Sequence, residues 1–230
     1  MFFYDYYYII LIIPAMLLGL FAQMRVSSTF NKYKKIKSSR GFTAADVARR
    51  ILDENGLRDV QIERINGNLT DHYDPRGNVI RLSDSVYNST SIASIGVAAH
   101  EVGHAIQHYE GYLPIKLRNA IVPIANIGST LSLPLIFLGI LIDMSGLVTF
   151  GIIAFSLVAI FQIVTLPVEL NASNRALATL EADQYLVDDE VRGAKKVLSA
   201  VALTYVAALI MSLAQLARLI MLYGRRNNND

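Results

Sequence analysis

Four long apolar stretches separated by polar ones organise this chain. A helix rises about 1.5 Å per residue, so about 20 apolar residues cover the roughly 30 Å hydrocarbon core of a bilayer. Phe2–Gln23, Ile121–Ile142, Leu147–Val168 and Val197–Tyr223 all reach that length. Between the first two, from about residue 25 to 115, the long runs give way to short elements. "FTAADVARRILDENGL" reads as a helix, with Thr43 as its N-cap, Gly56 as its stop and Val47, Ile51 and Leu52 as its apolar stripe. "VQIERI" alternates as a strand does, and "NVIRLS" supplies a second strand after the turn residues Pro75, Arg76 and Gly77. His72 falls in the turn "DHYD". From Ser91 to Gln107 small and apolar residues recur at helical spacing, with Ser89 or Thr90 as the expected cap.

Charge placement turns these runs into a topology. Asp5 precedes the apolar core of the first run, and Arg25, Lys32, Lys34, Lys35, Lys37 and Arg40 follow it. That is the reverse of a cleavable signal peptide and predicts an anchor with its N-terminus outside. The second and third runs are joined only by "DMSG", too short for anything but an antiparallel hairpin. The loop carries no Lys or Arg, whereas Lys116 and Arg118 precede the hairpin and Arg175 follows it, so both feet are expected on the cytoplasmic side. The fourth run is read as spanning although Arg218, Arg225 and Arg226 crowd its far end. The expected organisation is an anchor at 1–24, an α+β region at 25–115, a membrane hairpin at 116–168, a cytoplasmic helical segment at 169–196 and an apolar helix with a polar tail at 197–230.

Composition narrows the chemistry. With 53% apolar and 17% charged residues the chain is too apolar for an ordinary soluble domain, and a net charge of +2 without a basic tract argues against nucleic acid as partner. There are no cysteines, so disulfides, thiolate nucleophiles and zinc ribbons are excluded, and any metal must be held by His, Asp or Glu.

One stretch supplies such ligands. In "SIASIGVAAHEVGHAIQHYEGY", His100, Glu101 and His104 form H-E-x-x-H. Residues i and i+4 of a helix share a face, so two imidazoles reach one metal, while the intervening Glu addresses a water on that metal as general base. Zinc suits a site of three protein ligands and one open position. The small and apolar flanks bury this helix, where unpartnered histidines are costly. His108 lies about 12 Å of helix rise from His100, too far to share one ion. The three residues after His104 end in Gln107, so the variant in which a glycine turns a third His back is also excluded. His72 stays a weak candidate. Glu169, an isolated carboxylate at the foot of the third run, is the preferred third ligand, with Glu181 as runner-up.

The N-terminal anchor, "AAHEVGHAIQH", the membrane hairpin and "LPVELNASNRAL" together resemble the bacterial YugP-type membrane zinc metallopeptidases over most of the chain. More distantly, H-E-x-x-H followed by Glu-x-x-Ala-Asp is similar to the membrane gluzincins, among them heat-shock membrane proteases and prenyl-protein proteases. The resemblance implies that Glu169 is the third zinc ligand, with Ala172 at the pattern's Ala. Ser173 stands where those families carry an Asp that orients a zinc-bound His, which leaves Asn171 or Ser173 to supply a weaker hydrogen bond, with Arg175 nearby. It further implies that residues 78 to 83 form the edge strand of the cleft, so that Asn78, Val79, Ile80, Arg81 and Leu82 bind an extended peptide as one more strand. Arg175, His72 or a tyrosine stands available as transition-state donor.

These readings converge on a mainly α membrane protein with about four transmembrane helices and a small α+β, zincin-like protease domain at the membrane surface. The expected activity is that of a membrane-anchored zinc endopeptidase in a bacterial cell membrane, with one Zn2+ per chain and its active site facing the cytoplasm. Its expected substrates are extended or membrane-proximal polypeptides beside the lipid bilayer. The competing class is a zinc-binding membrane scaffold or regulator without protease activity. Glu101 speaks against it, because a structural zinc site has no use for a base and is normally closed by a fourth protein ligand. An ion transporter would need ionisable groups within its spans, yet the main polar side chain of the hairpin is Asn126.

Overall fold

The computed structural model describes residues 5 to 226, so Phe2 to Tyr4 of the first apolar run and the tail from residue 227 lie outside the described residues. In chain order the elements are a π-helical turn (Tyr8–Ile12), α1 (Ile13–Tyr33), α2 (Ala44–Glu54), β1 (Gln61–Ile65), β2 (His72–Asp74), β3 (Val79–Ser83), α3 (Ile92–Tyr109), α4 (Leu113–Leu141), α5 (Ser145–Ala182) and α6 (Asp188–Arg226). The protein is mainly α, and among the described residues four helices are long and apolar enough to cross a membrane: Tyr8–Tyr33, Leu113–Leu141, Ser145–Ala182 and Asp188–Tyr223. The chain divides into two compact units. One comprises Met1–Ala22, Leu113–Pro167 and Thr204–Asp230, and the other Gln23–Tyr112 and Val168–Leu203.

The first unit is a set of apolar helices whose outward side chains, such as Ile127, Phe137 and Ile153, are more than half exposed. Such a surface suits lipid and not water. Small residues let α4 and α5 approach closely: a Cβ at Gly128 would lie 2.5 Å from the Ala154 carbonyl oxygen, and one at Gly151 2.8 Å from that of Ser132. This is how helices pack where lipid offers no hydrophobic drive. Pro14 lacks the N–H an α-helix needs, and the π-helical turn just before it absorbs the mismatch. Arg218, which set the fourth run against the charge bias, is buried in an ion pair with Asp5 at 2.7 Å, its guanidinium 5.2 Å from the centre of the Tyr8 ring. The pair as a whole is neutral, so it adds no net positive charge to oppose a crossing helix.

In the second unit the helix α2 begins with a capping box between Thr43 and Asp46 and buries Val47, Ile51 and Leu52, as the sequence pattern requires. The sheet has the order β1-β3-β2, with β1 parallel and β2 antiparallel to β3. This corrects one expectation. Residues 78 to 83 do not form an edge: β3 is the central strand, its backbone is paired on both sides, and Val79, Ile80, Leu82 and Ser83 are buried. The edge beside α3 is β2, the segment "HYD", expected to be a turn. Three polar residues with one side open to water carry no apolar alternation, so nothing in their pattern announces a strand. What builds it is a hairpin through Pro75–Gly77, clamped by Arg81, which pairs with Asp74 on β2 at 2.8 Å and with Glu63 on β1 at 3.0 Å.

Helix α3 is capped by Ser91, whose hydroxyl accepts from the Ser94 amide, and not by Ser89 or Thr90. Ser91 is the last residue in extended backbone, and the Ser89 hydroxyl is spent on Ser91. Every residue of α3 from Ile92 to Gln107 is buried, against α2, the sheet, α5 and α6. Gly103 sets the crossing with α5, because a Cβ there would lie 2.7 Å from the Ala172 carbonyl oxygen. Only a glycine permits so close an approach.

Candidate metal centre

Helix geometry puts His100 and His104 on the face of α3 that meets α5, and the Gly103–Ala172 contact brings the adjoining turn of α5, which carries Glu169, against them. Glu169 is 2% exposed, and its Oε2 lies 3.3 Å from His100 Nε2 and 3.5 Å from His104 Nε2. Ligand atoms of the three residues all fall within 4.8 Å of one another, and they form the one such group found among the described residues. Two ligands each about 2.1 Å from a tetrahedral ion must lie about 3.4 Å apart. The two histidine–carboxylate spacings match that value, and the donor set of two imidazoles and a carboxylate is one zinc accepts. The residues present therefore fit the ion.

Each histidine offers Nε2 because its Nδ1 is occupied. His100 Nδ1 lies 3.1 Å from the Ser173 hydroxyl. His104 Nδ1 lies 3.1 Å from Gln107 Oε1. The orientation of that amide is fixed by its other end, where Nε2 donates to the Val168 carbonyl at 2.8 Å and to Asn171 Oδ1 at 2.9 Å. Oε1 is thus an acceptor, His104 must carry its proton on Nδ1, and Nε2 is left with its lone pair free for a cation. Arg175 continues the chain by donating from Nε to Asn171 Oδ1 at 2.8 Å and pairing with Glu110 at 2.8 Å. Burial works against a charged His104, yet the hydrogen bond to Glu169 and the charges of Glu101 and Glu169 outweigh it and hold its pKa above the ordinary value. A cation and a proton compete for this ring.

Glu101 is also buried, and its Oε2 accepts the backbone N–H of Tyr73 on β2 at 3.0 Å. The edge strand thus anchors this carboxylate. Asp71, just before β2, accepts from the Ser83 amide at 2.7 Å and its hydroxyl at 3.1 Å. Its burial raises its pKa, with those bonds opposing and the charge of Glu101 adding.

Of the residues singled out from sequence, His100, Glu101, His104, Glu169, Asn171 and Ser173 are brought together, and Arg175 joins through Asn171. His72 is exposed with Nδ1 on the Thr70 carbonyl, His108 is exposed with its ring 6.0 Å from that of Tyr73, and Glu181 is exposed and outside the cluster. Gln107, Gly103 and the Tyr73 amide were not anticipated. Gln107 had a signal: a polar side chain inside the buried stripe of a helix, three residues after a ligand, needs partners.

The comparisons with known proteins agree with this geometry. Residues 8–224 match the family described as "Putative neutral zinc metallopeptidase". The chain is 49% identical over 224 residues to "Putative membrane protease YugP" of Bacillus subtilis (strain 168), covering 96% of this chain and 99% of that protein. No solved structure matches the chain.

Proposed function

Because the chain belongs to this zinc metallopeptidase family and is a membrane zinc-dependent peptidase, we propose that it is an endopeptidase in which His100, His104 and Glu169 hold one zinc ion and Glu101 is the general base. The observation that carries the assignment is the convergence of two Nε2 atoms from α3 and one carboxylate oxygen from α5, beside a glutamate held by an edge strand. Zinc held there would supply Lewis acidity toward a scissile carbonyl and acidify water. Glu101 would take a proton from the attacking water and return it to the leaving amine, and the Tyr73 amide keeps its carboxylate aimed. Ser173 and Gln107 hold the two imidazoles in the tautomer that presents Nε2.

An extended polypeptide is the substrate this arrangement suits, laid beside β2, whose outward Tyr73 amide is already given to Glu101. Val79 to Arg81 then act from behind, as the part of the central strand to which β2 is paired. The positive-inside bias supports an active site on the cytoplasmic face of a bacterial cell membrane, with membrane-proximal chains as substrates. The test is Glu101→Gln beside wild type in purified, zinc-loaded protein. Zinc content is expected to be unchanged and peptide hydrolysis lost, whereas full residual hydrolysis would remove Glu101 from its role.

A further inference from the structure

A cavity of about 150 Å³ opens beside the C-terminal turns of α3, lined by neither the ligands nor the base. Its floor is Leu57, Val60 and Ala105, all buried, one wall is Tyr73, and its exposed rim carries Asp59 and His108. Two of these residues tie it to the chemistry. Ala105 follows Glu101 by one helical turn on the same face of α3, about 6 Å along the axis. Tyr73 is the edge-strand residue whose amide holds Glu101.

We infer that this cavity is the subsite that selects one side chain of the substrate, and that it takes an aromatic ring, Phe or Tyr. The inference rests on the peptidase reading and names part of its specificity. A peptide laid along β2 advances about 3.3 Å per residue, so with its scissile bond at Glu101 a side chain within two residues of that bond reaches Ala105. A void of this size is one that accommodates a benzene molecule. The T-shaped contact of the Tyr73 and His108 rings, 6.0 Å between centroids, offers ring faces and edges of the kind another aromatic group packs against. Asp59 at the rim repels acidic side chains.

The experiment profiles cleavage of an unstructured peptide mixture by the zinc-loaded full-length protein in detergent. Phe and Tyr are expected to be enriched at one position within two residues of the cut, by on the order of tenfold over Asp and Glu. Ala105→Leu fills the floor and is expected to shift that position to Gly and Ala. Asp59→Lys changes an exposed rim residue without touching the core and is expected to admit Asp and Glu there. Cleavage with no preference at those positions, or with profiles that neither variant alters, overturns the subsite while leaving the peptidase intact. Absence of cleavage by fully zinc-loaded wild type would instead count against the peptidase reading. The subsite is then read separately, as binding of paired peptides with Phe or Asp at that position to Glu101→Gln by fluorescence anisotropy. Equal affinities there overturn it.

Discussion

Replacing Gln107 by Leu tests whether an uncharged side chain that touches no metal sets the metal affinity. Gln107 is fully buried, and Leu is close to it in volume, so the change removes polar contacts more than it removes packing. Of its three partners, two have alternatives. Asn171 Oδ1 keeps the Arg175 Nε donor at 2.8 Å, and the Val168 carbonyl lies within α5, where helical bonding already satisfies it. The loss falls on the His104 Nδ1–H, a buried donor without an acceptor, which costs about 1 to 3 kcal/mol. Removing the partner that orients a ligating histidine typically weakens metal binding by roughly 10 to 100-fold, or about 1.4 to 2.7 kcal/mol. The two routes agree. Competition for zinc against a chromophoric chelator, with helix content checked by circular dichroism, is expected to show a loss in that range. A Leu variant within about threefold of wild type would refute the orienting role.

Other expectations follow from the same geometry. Glu169→Ala should lower zinc content after desalting far more than Glu181→Ala, and the reverse order would relocate the third ligand. Gly103→Ala forces a Cβ to within 2.7 Å of the Ala172 carbonyl, so overpacking of about 1 to 3 kcal/mol is expected in thermal unfolding, together with lower zinc retention as α3 and α5 separate. Unchanged values for both would mean that the helices have room to spare. Ser173→Ala removes one hydroxyl from His100 and should weaken zinc less than Gln107→Leu does; a larger loss would make Ser173 the principal orienting group. A cysteine at Ser145 should react with an impermeant reagent from outside and one at Gly77 should not, and opposite labelling would reverse the proposed orientation.

The helices and the histidine pair were legible because both are written in periodicities that survive without tertiary context. Spans of 20 apolar residues and H-E-x-x-H depend on one helix at a time. Glu169 was legible for a different reason: a carboxylate at the end of an apolar run demands a partner. What escaped depends on contacts between elements. "HYD" is a strand only because Arg81 and a hairpin hold it there, and β3 is central only because β2 exists to cover it. Its run of Val79, Ile80 and Leu82 fits a strand buried on both faces, which was a hint against an edge. Gly103 looked like an incidental small residue, and its purpose is visible only against the backbone of Ala172.

The unit that holds the metal centre is written in two pieces, Gln23–Tyr112 and Val168–Leu203, with the hairpin inserted between them. A fragment cut after the H-E-x-x-H helix would keep both imidazoles and the base yet lack Glu169, Asn171 and Ser173. Anyone seeking a water-soluble miniature must therefore splice the two pieces with a linker replacing residues 113 to 167, since simple truncation at either terminus deletes a corner of the coordination sphere or leaves the greasy insert in place.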